Sequence, residues 1–377
     1  MKKLNICLVS LTVAPDSQDG AAKFIRGVFD YLNKQDQFIV KLITAKWNEN
    51  LNIPNIIQLK IIKKSFLWIP QFIFKTLKLI RKQHFDIIHG NGPKGSLPLI
   101  FLSNKKKFLS SLHDLGPFEA KFSLNFLEKY LFQWVAKKAI IITTCSNSIK
   151  NEIKHYIPKI SINKIYNLYS AIEDKFKPYP KEAQELKKKM GINGPILLYI
   201  GRIASYKGVE DIISAYRIAK KINPNLNLII GGKPDFYMEK NYEEWKCKYK
   251  DIYFLGFIPE EIIPFYYSMA DIFITYSYAA EGFGLTPIEA IACGTPVICS
   301  SLPVFKEILQ DNAIFVPPKT PPILAEEIIN LMKDDEKRDA MIKKAMLYIQ
   351  KYTWDSVGKK LQKVYQNFLT FEKNQKF

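Results

Sequence analysis

The sequence predicts an α/β protein made of two doubly wound, parallel-sheet domains. Three observations carry that reading. Short β-rich apolar runs alternate with amphipathic helical segments. The alternation halts in one stretch rich in Pro, Lys and Glu and then restarts, and both series open with a strand, a glycine-bearing loop and a helix. A length of 377 residues also suits two domains better than one.

Taken in order, the first series predicts strands over residues 5–11, 38–44, 56–61, 85–89, 107–112 and 139–144. A helix over residues 21–32 puts Ala21, Ile25, Phe29 and Leu32 on one face. Residues 169–189, with Pro178 and Pro180, read as a linker holding a short polar helix. The second series predicts strands over 195–201, 226–232, 252–258, 271–276, 296–300 and 313–317, followed by helical patterns over 322–333, 335–352 and 354–371. The expected domains are 1–170 and 171–352, with a helix in 353–377 packing back on the first. Strand–helix alternation of this kind means parallel sheets covered on both faces. Ligands of such sheets sit beyond the carboxyl ends of the strands, so two facing sheets would share one interdomain cleft.

Composition excludes several classes. Hydrophobic residues make up 47% and charged residues 24%, the balance of a globular protein. No apolar run approaches the ~18 residues that a membrane span needs. Met1-Lys2-Lys3 before an apolar stretch resembles a signal peptide, but Asn5 interrupts it and no small-residue cleavage pattern follows. Five cysteines form no C-x-x-C pair, which argues against a zinc site or disulfide scaffold and suits a reducing compartment. A cytoplasmic protein is expected. The net charge of +19 is unevenly placed: residues 1–170 hold 26 Lys+Arg against 10 Asp+Glu, and residues 171–377 hold 29 against 26. A lysine-rich composition explains the bias toward Lys but not the asymmetry, so a partner attracted by charge should meet the first half.

The densest chemical signal is Glu281-Gly282-Phe283-Gly284-Leu285-Thr286-Pro287-Ile288-Glu289. A strand ends just before it, a glycine turn follows, and a helix is expected to start at Thr286–Pro287, with Thr as N-cap and Pro in the first helical position. Turn amides and the positive helix end then make a site for phosphate. Read alone, Thr286-x-x-Glu289 is a capping box and Glu281 a solvated carboxylate. The second signal is Gly201-Arg202-Ile-Ala-Ser-Tyr-Lys207-Gly208, which sets a guanidinium and an ammonium at a strand's carboxyl end. Two fixed cations can neutralise a leaving diphosphate without a metal. No Asp-x-Asp occurs anywhere, so the usual carboxylate clamp for a metal-bridged diphosphate is missing and no metal is expected.

An Arg202/Lys207 pair about eighty residues before a Glu-x7-Glu pair resembles the retaining GT-B glycosyltransferases, in particular glycosyltransferase family 4. Leu255-Gly256-Phe257-Ile258, Tyr266, Ala270-Asp271, Ser277, Gly294-Thr-Pro296-Val297 and Trp354 fall in the family's order, so the likeness spans nearly the whole chain. The resemblance implies a UDP- or GDP-linked sugar donor and no cofactor. Arg202 and Lys207 would bind its diphosphate, Glu289 the ribose hydroxyls, and Glu281 the hydroxyls of the transferred sugar. Amides of Gly282, Phe283, Gly284, Leu285 and Thr286 would touch sugar and phosphate, and Ile258 falls where the base is seated. Gly20 matches the glycine loop that meets the diphosphate from the other domain. His113, by itself more often a structural loop histidine, matches the family's cleft-facing His, and would orient the substrate while the β-phosphate takes the acceptor's proton.

Departures from the family pattern are Asp19-Gly20-Ala21 for two glycines, Ser170-Ala171 for Asn-Gly, Asn91 for a second His, and Tyr276 for Pro. All but the last border the acceptor side. Basic, aromatic segments over residues 60–82 (Phe66, Trp68, Phe72, Phe74) and 118–138 (Phe122, Phe126, Tyr130, Phe132, Trp134) read first as core-facing helices with a basic polar face. The alternative is contact with an anionic membrane surface that brings the enzyme to a lipid-linked acceptor. Core-like spacing of the aromatics speaks against nucleic acid. The expectation is therefore retaining, metal-independent transfer to a glycan or lipid-linked acceptor. Its rivals are a nucleotide-sugar epimerase of the same fold and a non-enzymatic basic binder.

Overall fold

A computed structural model describes residues 3–17, 19–48, 50–62, 64–103, 106–115, 118, 125–279 and 281–374. Of the residues singled out above, Met1, Lys2 and Phe122 lie outside these. The chain forms two compact units, Met1–Ala171 with Trp354–Phe377, and Ile172–Thr353.

The first unit holds seven strands: β1 Leu4–Ser10, β2 Phe38–Ala45, β3 Ile56–Leu59, β4 Ile87–Asn91, β5 Leu109–Leu112, β6 Ile141–Thr144 and β7 Ile165–Asn167. Their order is β3-β2-β1-β4-β5-β6-β7, and every pairing is parallel. The order reverses between β1 and β4, and this switch point is where an open sheet leaves a crevice at its carboxyl edge. Strand β7 escaped the sequence reading because it is three residues long, too short for a periodicity to register. Helix Gly20–Asn33 buries Phe24, Ile25, Val28, Phe29, Tyr31 and Leu32, a wider stripe than the four residues expected. Its N-cap is Asp19, whose carboxylate accepts from the Ala22 amide.

Helix Trp354–Asn374 belongs to this unit and packs across helix Gly20–Asn33, adding Leu361, Val364, Tyr365 and Phe368 to the core. Each such side chain, fully buried, contributes about 1.5–3 kcal/mol. Two glycines allow the close crossing. A Cβ at Gly27 would lie 1.8 Å from the Trp354 ring, and one at Gly358 would lie 2.2 Å from the Tyr31 ring.

The second unit holds β8 Ile196–Ile200, β9 Asn227–Gly231, β10 Ile252–Gly256, β11 Ile272–Thr275, β12 Val297–Ser300 and β13 Ile314–Val316. Their order is β10-β9-β8-β11-β12-β13, again all parallel, with the reversal between β8 and β11. Tyr199, Tyr216, Ile212, Leu228, Ile274, Ile298 and Leu324 are among its fully enclosed core residues. Helix Pro180–Lys189 occupies the stretch read as a linker with a short polar helix. Among the described residues, no helix is long and apolar enough to cross a membrane.

Candidate functional site

Both signals of the second unit lie at its topological switch point. Arg202 and Lys207 follow β8, and the glutamate-bearing loop follows β11. The Lys207 ammonium donates to the Glu281 carboxylate, which also accepts from Ser277 Oγ at 2.5 Å. Lys207 and Glu281 are both largely enclosed, so their attraction is screened far less than at a surface. Removing either partner would leave an uncompensated charge out of water. Tyr206 ties the two cations together: its hydroxyl accepts from the Arg202 guanidinium, and Lys207 Nζ stands 5.2 Å from its ring centroid. Tyr206 was missed because a lone tyrosine between two cations has no spacing rule to single it out.

Two helices begin at this edge, and both start from a left-handed glycine without a side-chain cap. Helix Val209–Ile222 has Gly208 as N-cap at φ 63°, and helix Leu285–Ala292 has Gly284 at φ 87°. Only glycine adopts such angles without strain. Side chains would also collide there, with the Tyr276 carbonyl at Gly208 and the Phe305 ring at Gly284. First-turn amides not met by a cap are donors for an anion, and the helix end adds positive potential. This corrects the expected helix start: Thr286 is not the N-cap and Pro287 is not the first helical residue. Gly284 reaches an angle closed to threonine, so the helix begins earlier.

The capping-box reading of Glu289 falls with it. Glu289 is buried, and its Oε2 accepts from the Tyr267 hydroxyl at 3.1 Å. Burial first, and then the Glu289 charge, push the Tyr267 hydroxyl's pKa well above the usual tyrosine range, so it stays a donor. Gly282 and Phe283 bridge Glu281 to Gly284, with Phe283 packed edge-on against Tyr352 at 5.3 Å. Ile258, just past β10, is buried against Gly231, where a Cβ would come within 2.4 Å of it. The structure thus joins Lys207 directly to Glu281, and Arg202 to Lys207 through Tyr206.

In the first unit, Gly20 opens the helix after β1 and His113 follows β5. Asn91, at the end of β4, joins the two. Its Nδ2 donates to Ala21 O and Ser10 Oγ, both at 3.0 Å, while its Oδ1 lies 2.7 Å from His113 Nε2. A backbone carbonyl can only accept, so the amide orientation is set and His113 Nε2 must carry the proton. Burial lowers the His113 pKa to about 4 against the opposing pull of Asp114 and Asp19, so the ring is neutral at neutral pH. Its Nδ1 is then an acceptor, suited to a hydroxyl rather than to a phosphate. Asn91 entered the sequence reading only as a departure; its bridging role depends on three strands that sequence order does not bring together.

The family model described as Glycosyltransferase Family 4 matches residues 19–170, and the one described as Glycosyl transferases group 1 matches residues 182–347. An uncharacterized glycosyltransferase of Methanocaldococcus jannaschii is 24% identical over 96% of this chain and 98% of its own length. The alpha-monoglucosyldiacylglycerol synthase of Acholeplasma laidlawii is 24% identical over 81% of this chain and 80% of its own. Among solved structures, sucrose-phosphate synthase of Thermosynechococcus elongatus superposes with a TM-score of 0.84 at 22% identity, covering 98% of this chain and all (100%) of that one. Anabaena HepE in complex with UDP and glucose gives 0.80 at 18% identity, covering 97% and 100%. With both of its parallel-sheet units matched, the chain belongs to glycosyltransferase family 4 and has the GT-B fold.

Proposed function

We propose that the protein transfers a hexose from a UDP- or GDP-linked donor to a glycan or lipid-linked acceptor at the cytoplasmic membrane face, without a metal and with retention at the anomeric carbon. The observation that carries the reading is the meeting of Lys207 with Glu281 beside a capless helix start: cations for a diphosphate and a carboxylate for sugar hydroxyls converge at one switch point. A donor diphosphate would lie against Arg202, Lys207 and the amides of Gly284, Leu285 and Thr286. Glu289 would accept from the ribose hydroxyls, Ile258 would back the base, and Glu281 with the Gly282 and Phe283 amides would hold the sugar. In the first unit, His113 would accept a hydroxyl at Nδ1, and Gly20 would present its helix start to a ligand.

In this reading the acceptor hydroxyl attacks the anomeric carbon from the leaving-group side as the bond to the diphosphate oxygen breaks. Its proton passes to the β-phosphate, and the nucleoside diphosphate departs. Charge grows on the diphosphate during that step, and prepositioned cations stabilise it without reorganisation. Nucleotide-bound HepE supports the donor class, and the name of the Acholeplasma relative supports a lipid acceptor. A thermal-shift screen of UDP- and GDP-sugars should find a donor that raises the melting temperature, since ligand binding to the native state stabilises it by mass action. NMR of the transfer product should then show the donor's anomeric configuration. Inverted product would overturn the mechanism, and no stabilisation by any nucleotide sugar would overturn the donor class.

A further inference from the structure

The spacing of aromatics on the first unit's basic helices predicted core-facing side chains, and the structure reverses this for most of them. Phe72 and Phe132 are buried, but Phe66, Phe74, Phe126, Tyr130 and Trp134 are exposed, along with Ile62, Leu67, Phe101 and Leu127. Scattered surface apolars need no explanation. These are not scattered. Phe126 (54% exposed), Tyr130 (68%) and Trp134 (45%) follow at i, i+4 and i+8 along one stripe of helix Asn125–Lys138. Trp134 stands edge-on to Phe101 at 5.6 Å, and the turn Leu97–Phe101 packs in turn on helix Trp68–Lys82, which carries Phe74 (67% exposed).

Strand order places all three segments on one side of the sheet. The connections β3 to β4, β4 to β5 and β5 to β6 advance in one direction, and β1 to β2 in the other. Right-handed crossovers therefore put Trp68–Lys82, Leu97–Phe101 and Asn125–Lys138 together, opposite Gly20–Asn33. We propose that this outer face inserts its aromatics into an anionic lipid bilayer, and that insertion, more than charge alone, holds the enzyme there. The proposal rests on the membrane-facing part of the reading above and gives it a surface.

Charge selects the occupant. Residues 60–138 hold 15 Lys+Arg and 4 Asp+Glu. Exposed Lys78, Arg81, Lys82, Lys137 and Lys138 accompany the aromatics on the same two helices. A second copy of the chain would bring this basic face against itself. An anionic bilayer satisfies both features at once: headgroups meet the lysines, while Trp and Tyr suit the boundary between headgroup and acyl chain.

The test is co-sedimentation of the full chain with phosphatidylcholine vesicles, with and without phosphatidylglycerol, in 0.1 M and 0.5 M NaCl. High salt shortens the reach of surface charges but leaves apolar burial intact. The wild type should prefer anionic vesicles, keep a bound fraction in high salt, and show Trp fluorescence quenched by brominated lipid. The double variant Phe126→Ser/Tyr130→Ser, at exposed sites, should lower partitioning at least tenfold in both salts, with UDP and GDP binding unchanged. Replacing Lys78, Arg81, Lys82, Lys137 and Lys138 by Gln should remove only the salt-sensitive part. Wild-type partitioning of the aromatic variant, or binding to RNA in place of vesicles, would overturn the proposal. Loss of nucleotide binding with intact vesicle binding would instead count against the donor reading alone.

Discussion

Glu289 is held from two sides, by its helix and by the Tyr267 hydroxyl, and is nearly shut off from water. A carboxylate kept in such a place can direct its charge at a ligand hydroxyl with little loss to solvent, and a hydrogen bond to a charged acceptor is worth about 1.5–3 kcal/mol. Glu289→Gln keeps an oxygen for Tyr267 but removes the charge. We expect nucleoside diphosphate affinity to fall about tenfold or more by calorimetry, with the melting temperature little changed. A variant that melts early but binds normally would return Glu289 to a structural role. The diphosphate role of Arg202 and Lys207 could be framed from residue type and placement, whereas the roles of Glu281 and Glu289 rested on the family resemblance, since alone they read as a solvated carboxylate and a capping residue. Tyr206, Tyr267 and Asn91 could not. Each acts on a partner through space, and in the strand order β3-β2-β1-β4 the neighbours of Asn91 come from distant parts of the chain.

Elements in the first unit are fastened by features that strand–helix alternation does not report. Helix Trp354–Asn374 meets helix Gly20–Asn33 through Gly27 and Gly358, and its Tyr365 hydroxyl lies 2.9 Å from Nδ1 of the buried His89. Gly27→Ala puts a methyl into the Trp354 ring, and overpacking of this kind costs about 1–3 kcal/mol. Urea unfolding should show that loss; unchanged stability would mean that the crossing is loose. Burial, with the charge of His113 a lesser cause, lowers the His89 pKa to about 3, below the ordinary value of 6.5. The neutral ring is thus favoured in the fold. Its stabilising contribution is full above pH 6.5 and declines by about 1.4 kcal/mol per pH unit below that, flattening only near the folded value. His113 behaves alike down to about 4. Unfolding free energy should therefore drop between pH 6.5 and 5, and His89→Gln, although less stable throughout, should have a shallower slope. Equal slopes would contradict the buried, neutral assignment. The alternation of elements was plain in the sequence because apolar periodicity is local. The start of helix Leu285–Ala292 was misjudged because backbone angle at Gly284, not capping chemistry, decides it.

At the scale of the molecule, the two halves of the chain differ sharply in charge. Nearly all of the +19 excess lies in residues 1–170, while the proposed diphosphate grip lies in the almost neutral second half. The charge division was legible from counting residues. Which aromatics face outward was not, because core and surface stripes share one helical period and only the packing of neighbours separates them. In the proposed reaction Arg202 and Lys207 supply the positive charge that a metal would otherwise provide. Calorimetric titration of UDP and GDP into the full chain in excess EDTA, wild type beside Lys207→Gln, tests that role. At least one nucleotide should bind in EDTA, with affinity lowered tenfold or more by the substitution. No binding in EDTA, restored by Mg²⁺ or Mn²⁺, would contradict it, as would a Lys207→Gln protein that stays folded and binds as tightly as wild type.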